Sequence, residues 1–248
     1  MIRKAVGKKI QNDNKEFRLR GHDVKRIEAF SDAVFALAVT LLIVSLEVPK
    51  SFEELLITMK GFFAFSISFV LLMFIWYEQN VFFRRYALHD LRTIFLNGCL
   101  IFIVLFYVYP LKFLFSLLFN KAMYETDSPL QIEPRQITQL MFIYGAGYVV
   151  IYILFFCMYV HAWRKREELQ LTATEKFDTK TKMWAQLILA VVGALSVIVA
   201  LALPEEKSGA AGYIFFLIGP AFTFFYSFRR KKRRGIFEED AVDVAAGS

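Results

Sequence analysis

The side chains able to do chemistry in an apolar setting gather in one stretch, Arg26 to Pro49, which reads RIEAFSDAVFALAVTLLIVSLEVP. From Ala33 to Leu46 its only polar side chains are Thr40 and Ser45. Taken from Ala29 to Val48, the run reaches the roughly 20 residues that cross a hydrocarbon core. Ser31 and Asp32 sit inside that length. A carboxylate at the centre of a membrane helix costs about 2.5–3.5 kcal/mol, less near an end, so Asp32 requires a partner or water. On a helix turning about 100° per residue, Arg26, Phe30, Ala33, Leu37, Thr40, Leu41, Val44 and Val48 share one stripe. Asp32 points about 140° away from Leu37, with Glu28 on a similar heading. The geometry sends Asp32 toward neighbouring helices and the stripe toward something else. Periodicity alone leaves two readings open: the stripe meets acyl chains, or it surrounds the axis of a symmetric oligomer.

The elements that must position these residues are themselves apolar. Of 248 residues, 57% are hydrophobic and 17% aromatic, which describes a polytopic membrane protein rather than a soluble domain. Cys99 and Cys157 each lie inside an apolar run and read as small buried hydrophobes, with no disulfide framework or metal-ligand spacing. The first 25 residues are basic and polar without an apolar core, so no cleaved signal peptide is expected. The pattern predicts an all-α integral membrane protein of six transmembrane helices. The first ends at Pro49, and the others run over approximately Met59–Phe83, Thr93–Phe119 with a bend near Pro110, Gln136–Trp163, Met183–Leu203 and Gly209–Phe228. A charged loop is expected over 164–182. Residues 1–25 are read as a basic, mobile or interfacial cytoplasmic tail, 26–228 as the membrane domain, and 229–248 as a basic then polar cytoplasmic tail.

Six spans put both termini on one side. Counting Lys and Arg by side gives 24 with the termini and 6 opposite, so the positive-inside rule places both termini in the cytoplasm. A nucleic-acid role for the basic tails is set aside, because basic flanks normally accompany membrane helices. Helix 1 runs outward and helix 2 returns, which brings Ser31 and Asp32 level with Trp76, Gln79, Asn80 and Arg84. The indole N–H of Trp76 and the amide of Asn80 are the donors that a buried carboxylate lacks. They predict a polar clasp that sets the angle of helix 1.

The motif FSDAVFALAVTLL, preceded by Arg26 and followed by LEVP, resembles the signature first helix of the transmembrane protein 175 family, the potassium channels of endosomes and lysosomes with shorter prokaryotic relatives. The signature occurs once here, whereas the animal proteins resemble two such units in tandem, so the chain is similar to a prokaryotic single-repeat member. The resemblance implies a homotetramer in a lipid bilayer, multi-pass in the plasma membrane of a prokaryote, with helix 1 lining a central pore that passes potassium ions. It implies a main constriction at Leu37 and a threonine affecting selectivity at Thr40. Leu41 and Val44 lie further out on the same face, where they add hydrophobic rings, and a narrow apolar ring excludes ions by dewetting. The filter sequence TVGYG is absent, so side chains must set the constriction. Arg26 and Phe30 are read as packing and interface anchors. Relatives often carry histidines after the tryptophan of helix 2; this chain has Trp76-Tyr77-Glu78-Gln79-Asn80, which argues against histidine-based proton sensing at that depth.

Other chemistries find little support. The three histidines, His22, His89 and His161, lack metal-ligand spacing, and no Gly-rich phosphate loop, HExxH or GxSxG motif occurs, so neither an enzyme nor a cofactor is expected. A secondary or proton-coupled cation transporter using Asp32 is the competing class. It ordinarily needs more intramembrane carboxylates and paired helix breaks in two halves. Gly145, Gly147 and Gly193 are read as sites of close helix packing.

Overall fold

The computed structural model describes residues 17–44, 51–123 and 133–246. Six α-helices follow in order: α1 Arg26–Val44, α2 Phe52–Tyr86, α3 Leu91–Met123, α4 Pro134–Arg164, α5 Ala173–Ala202 and α6 Ile218–Ala246, with a 3₁₀ helix over Glu205–Leu217 before α6. There is no strand among the described residues. Among them, five segments are long and apolar enough to cross a membrane: Phe65–Tyr86, Leu91–Val108, Arg135–Arg164, Ala173–Ala202 and Lys207–Arg230. The expected end of helix 1 at Pro49, the side chain of Val44, residues 1–16 of the N-terminal tail and the polar connection at 124–132 lie outside what is described.

Several boundaries differ from the sequence expectation, each for a local reason. The span expected from Met183 begins ten residues earlier as α5, so much of the supposed charged loop is helix. Thr172 and Glu175 form a reciprocal capping box at its start, each side chain taking up a backbone N–H of the other. The final span is not one α-helix. Gly209 and Gly212 lie in the 3₁₀ stretch, and α6 begins only at Ile218, with Pro220 in its first turn, where a missing N–H costs nothing. α6 then continues past Phe228 to Ala246, so the run RRKKRR is helical. α3 passes through Pro110, whose carbonyl accepts a hydrogen bond from the Tyr144 hydroxyl.

The core is aromatic and centres where α2 meets α4. Phe82, Tyr86, Phe155 and Tyr159 are buried there, with Phe82 and Tyr159 edge to face at 5.4 Å. α4 packs closely on α5 at Gly145 and Gly193, and on α3 at Gly147, because glycines leave room. A methyl added at Gly145 would strike Val197, one at Gly147 the Tyr107 ring, and one at Gly193 the Tyr148 ring.

Candidate functional site: the two faces of α1

α1 divides lengthwise. Ser31, Phe35, Ala38 and Leu42 are buried against α2 and α3. The opposite half is open: Phe30 is 60% exposed, Leu37 51% and Leu41 40%. Arg26, Ala33 and Thr40 are exposed with them. Of the stripe identified from periodicity, Arg26, Phe30, Ala33, Leu37, Thr40 and Leu41 are thus left uncovered by the described residues. Asp32 is also exposed and lies at the flank of this open half rather than behind it.

Two polar linkages hold α1, one at the flank of the open face and one behind it. Trp76 Nε1 donates to Asp32 Oδ1 at 2.7 Å, joining α2 to α1. Deeper in, Gln79 Nε2 donates to Asn97 Oδ1, and Asn97 Nδ2 donates to Ser31 Oγ at 2.8 Å. Ser31 Oγ in turn donates to the Ile27 carbonyl at 2.8 Å. Gln79, Asn97 and Ser31 are all buried, and each satisfies another, as buried polar groups must. Of the residues expected in a clasp, Ser31, Asp32 and Trp76 are brought together. Asn80 is not: it is half-buried, one residue turned from Gln79, and its side chain makes no hydrogen bond to α1. Asn97 of α3 takes the place expected for it. A lone asparagine in the apolar run TIFLNGCLIF was the available signal.

Thr40 Oγ1 donates to the Ala36 carbonyl of its own helix at 2.9 Å. Donation fixes the hydroxyl's rotamer but leaves the oxygen's lone pairs as acceptors.

Residues 1–25 are expected to form a mobile or interfacial tail; its described part, from Phe17 onward, is docked on the helices. Phe17 is buried edge to face on Tyr86, with the Arg85 guanidinium 4.8 Å from its ring centroid. Arg20 binds Glu175 with both nitrogens of its fork, at 2.7 and 3.1 Å, and the Arg18 N–H donates to the same carboxylate at 2.7 Å. The Arg20 and Gly21 amides both reach the Arg84 carbonyl at 3.0 Å. Gly21 sits so close to this turn that a Cβ would lie 2.8 Å from the Phe83 carbonyl. This strap ties the entry to α1 onto the ends of α2 and α5. Nearby, Asp90 meets His161 Nε2 at 2.8 Å and accepts from Thr93 Oγ1 at 2.7 Å. Burial works against the Asp90 charge, but these two partners hold its carboxyl below the usual range.

Among the described residues, no group of three His, Cys, Asp or Glu side chains is arranged to hold a metal.

Three comparisons bear on this arrangement. The sequence model of the family described as endosomal/lysosomal potassium channel TMEM175 matches residues 26–107, the stretch from α1 into α3. A potassium channel of Marivirga tractuosa is 37% identical over 236 residues, covering 91% of this chain and 96% of its own. Among solved structures, a crystal structure of a variant of the potassium channel MtTMEM175, in complex with a nanobody–MBP fusion, superposes with a TM-score of 0.78 at 36% identity, covering 88% of this chain and 98% of that one. A lysosomal potassium-selective channel TMEM175 homolog from Chamaesiphon minutus gives 0.51 at 25% identity, over 82% and 96%.

Proposed function

The chain belongs to the TMEM175 family of potassium channels, and from that premise we propose that four copies assemble with the open faces of α1 around a potassium-selective pore. The pore crosses the plasma membrane of a prokaryote, with both termini cytoplasmic. The observation that carries this reading is the make-up of the uncovered half of α1. It presents Arg26, Asp32 and Thr40 beside Phe30, Leu37 and Leu41. A surface turned to acyl chains bears a heavy cost for an arginine and a carboxylate, whereas one turned to water and to neighbouring subunits does not.

In this arrangement four Leu37 side chains form the narrowest ring, with Leu41 and Val44 as rings further out. Such a ring sheds water and closes the path to ions until it widens. Thr40 stands between Leu37 and Leu41. Its hydroxyl proton is committed to Ala36, so its oxygen lone pairs serve as ligands for a partly dehydrated cation. Ser31, Asp32, Trp76, Gln79 and Asn97 set the rotation of α1 and so the direction in which Leu37 points. Phe30 and Arg26 anchor the inner end.

Planar-bilayer recording of the purified protein tests the assignment. Leu37→Ala raises unitary conductance by widening the ring. Thr40→Ala shifts the bi-ionic reversal potential toward equal permeation of potassium and sodium. Unchanged conductance and unchanged selectivity in both variants remove these residues from the pore. Saturable exchange without unitary steps would instead mark a carrier that uses Asp32.

A further inference from the structure

A cavity of about 330 Å³ opens between the end of α2, the start of α5 and α6. Arg85, Lys182, Arg229, Arg230 and Arg233 line it, with Asp178 as the one carboxylate. That carboxylate is already engaged by Arg233, at 2.8 Å from Nε and 2.9 Å from Nη2. Lys182 is likewise engaged by Glu78, at 2.8 Å. Arg85, Arg229 and Arg230 pair with no carboxylate among the described residues. Three positive charges without a direct ion pair therefore border one small space at the edge of the membrane domain, and Asp178, already held by Arg233, is the one carboxylate close enough to offset them.

The central cation is fixed in advance. Arg229 Nε and Nη2 donate to Thr181 Oγ1 at 2.9 and 2.7 Å, and Nη2 donates to the Phe177 carbonyl at 3.3 Å. Its guanidinium lies 4.0 Å over the Phe177 ring. A guanidinium held this way loses little freedom on meeting a ligand, and the two Nη1 hydrogens, which these bonds leave uncommitted, are the donors it offers to a phosphate oxygen.

The cavity does not end there. A second cleft of about 350 Å³ shares Lys182 and Tyr226 with it; Glu78, paired to Lys182, and Gln186 form its polar part, and Leu71, Phe74, Leu189 and Phe222 line its apolar part. A charged pocket joined to an apolar cleft matches the two chemical halves of a phospholipid. We infer that the pocket bordered by Arg85, Arg229 and Arg230 binds a phosphate group, carried by an anionic phospholipid whose acyl chain enters the adjoining cleft. The inference rests on the membrane-spanning architecture and is independent of which face of α1 conducts ions.

The test uses the full chain in detergent, titrated with dihexanoyl phosphatidylglycerol, dihexanoyl phosphatidylcholine and glycerol 1-phosphate, with the shift of the unfolding temperature as readout. Phosphatidylglycerol stabilises saturably at the lowest concentration. Arg85→Gln and Arg230→Gln each weaken its apparent affinity about fivefold. Arg230 is exposed, so its variant keeps the fold. Arg92→Gln removes a charge at the same end but outside this pocket and leaves the affinity unchanged. Equal weakening by Arg92→Gln, or equal response to phosphatidylcholine, overturns the site in favour of diffuse surface attraction. Glycerol 1-phosphate binding as tightly as phosphatidylglycerol overturns the lipid as the source and leaves a soluble phosphate in the pocket. No saturable response to any of the three overturns the phosphate site.

Discussion

Two polar assemblies hold α1, and they are built differently. The strap below it is ionic and buried: Arg20 is 11% exposed, Glu175 2%, and backbone amides complete the carboxylate's shell. The clasp beside it is mostly neutral, a chain of amides and a hydroxyl from Gln79 through Asn97 to Ser31, with one exposed carboxylate on the Trp76 indole. An ion pair taken out of water is costly to break and tolerates no half-measures. A neutral chain costs less and can be altered one bond at a time. In the proposed arrangement the strap fixes where α1 starts, and the clasp how α1 is turned. Only the second quantity bears directly on which side chains meet at the proposed axis.

That contrast can be broken from either side. The largest effect is expected at the strap. Arg20→Ala leaves Glu175 buried and unpaired and lowers stability by about 3–5 kcal/mol, read from thermal or denaturant unfolding. A loss under about 1 kcal/mol would mean that water reaches Glu175 and that the strap is no firmer than a surface ion pair. At the clasp, Asn97→Ala strands the Gln79 amide, leaves Ser31 only its bond to Ile27, and costs about 1–3 kcal/mol. Asp32→Asn is milder for the single chain, because the carboxylate is exposed, but is expected to lower the yield and thermal stability of the proposed tetramer. Tetramer yield and stability unchanged by Asp32→Asn would remove the carboxylate from the clasp. The smallest effect comes from Asp90. Its carboxyl is held low in the folded chain, so its stabilising contribution is complete above the unfolded value of about 3.9 and is lost as pH falls through the lower, folded value. Wild type and Asp90→Asn should differ in unfolding temperature at pH 7 and converge in strong acid.

The apolar half of this organisation was legible in the sequence, and the polar half only in part. Helical spacing alone marked Phe30, Leu37, Thr40 and Leu41 as one stripe, because a period near 3.6 is a property of the chain itself. Asp32 and Trp76 could be paired because antiparallel neighbours of known length place residues at equal depth. Choosing between Gln79 and Asn80 depended on the rotation of α2 about its own axis, which hydrophobic patterning hardly records in a helix apolar on most sides. Asn97 comes from a third helix whose packing no local rule supplies. The docking of Phe17, Arg18 and Arg20 was hidden for another reason. Basic residues ahead of a first span ordinarily meet lipid headgroups, and only the burial of Glu175 in α5 gives these a different partner. The Thr172–Glu175 capping spacing did carry that information. It would have moved the start of α5 and placed a carboxylate at the level of Arg20.

The central claim is that the open face of α1 borders water while other exposed apolar faces border lipid. Thiol accessibility separates the two in a background lacking Cys99 and Cys157. Ala33→Cys lies on the open face one turn before Leu37, and Phe102→Cys lies on α3, where the native side chain is 67% exposed. With the channel reconstituted, a charged methanethiosulfonate reagent should block current through Ala33→Cys and leave Phe102→Cys unaffected. If Ala33→Cys stays inert, or both positions react alike, the open face of α1 does not line an aqueous path.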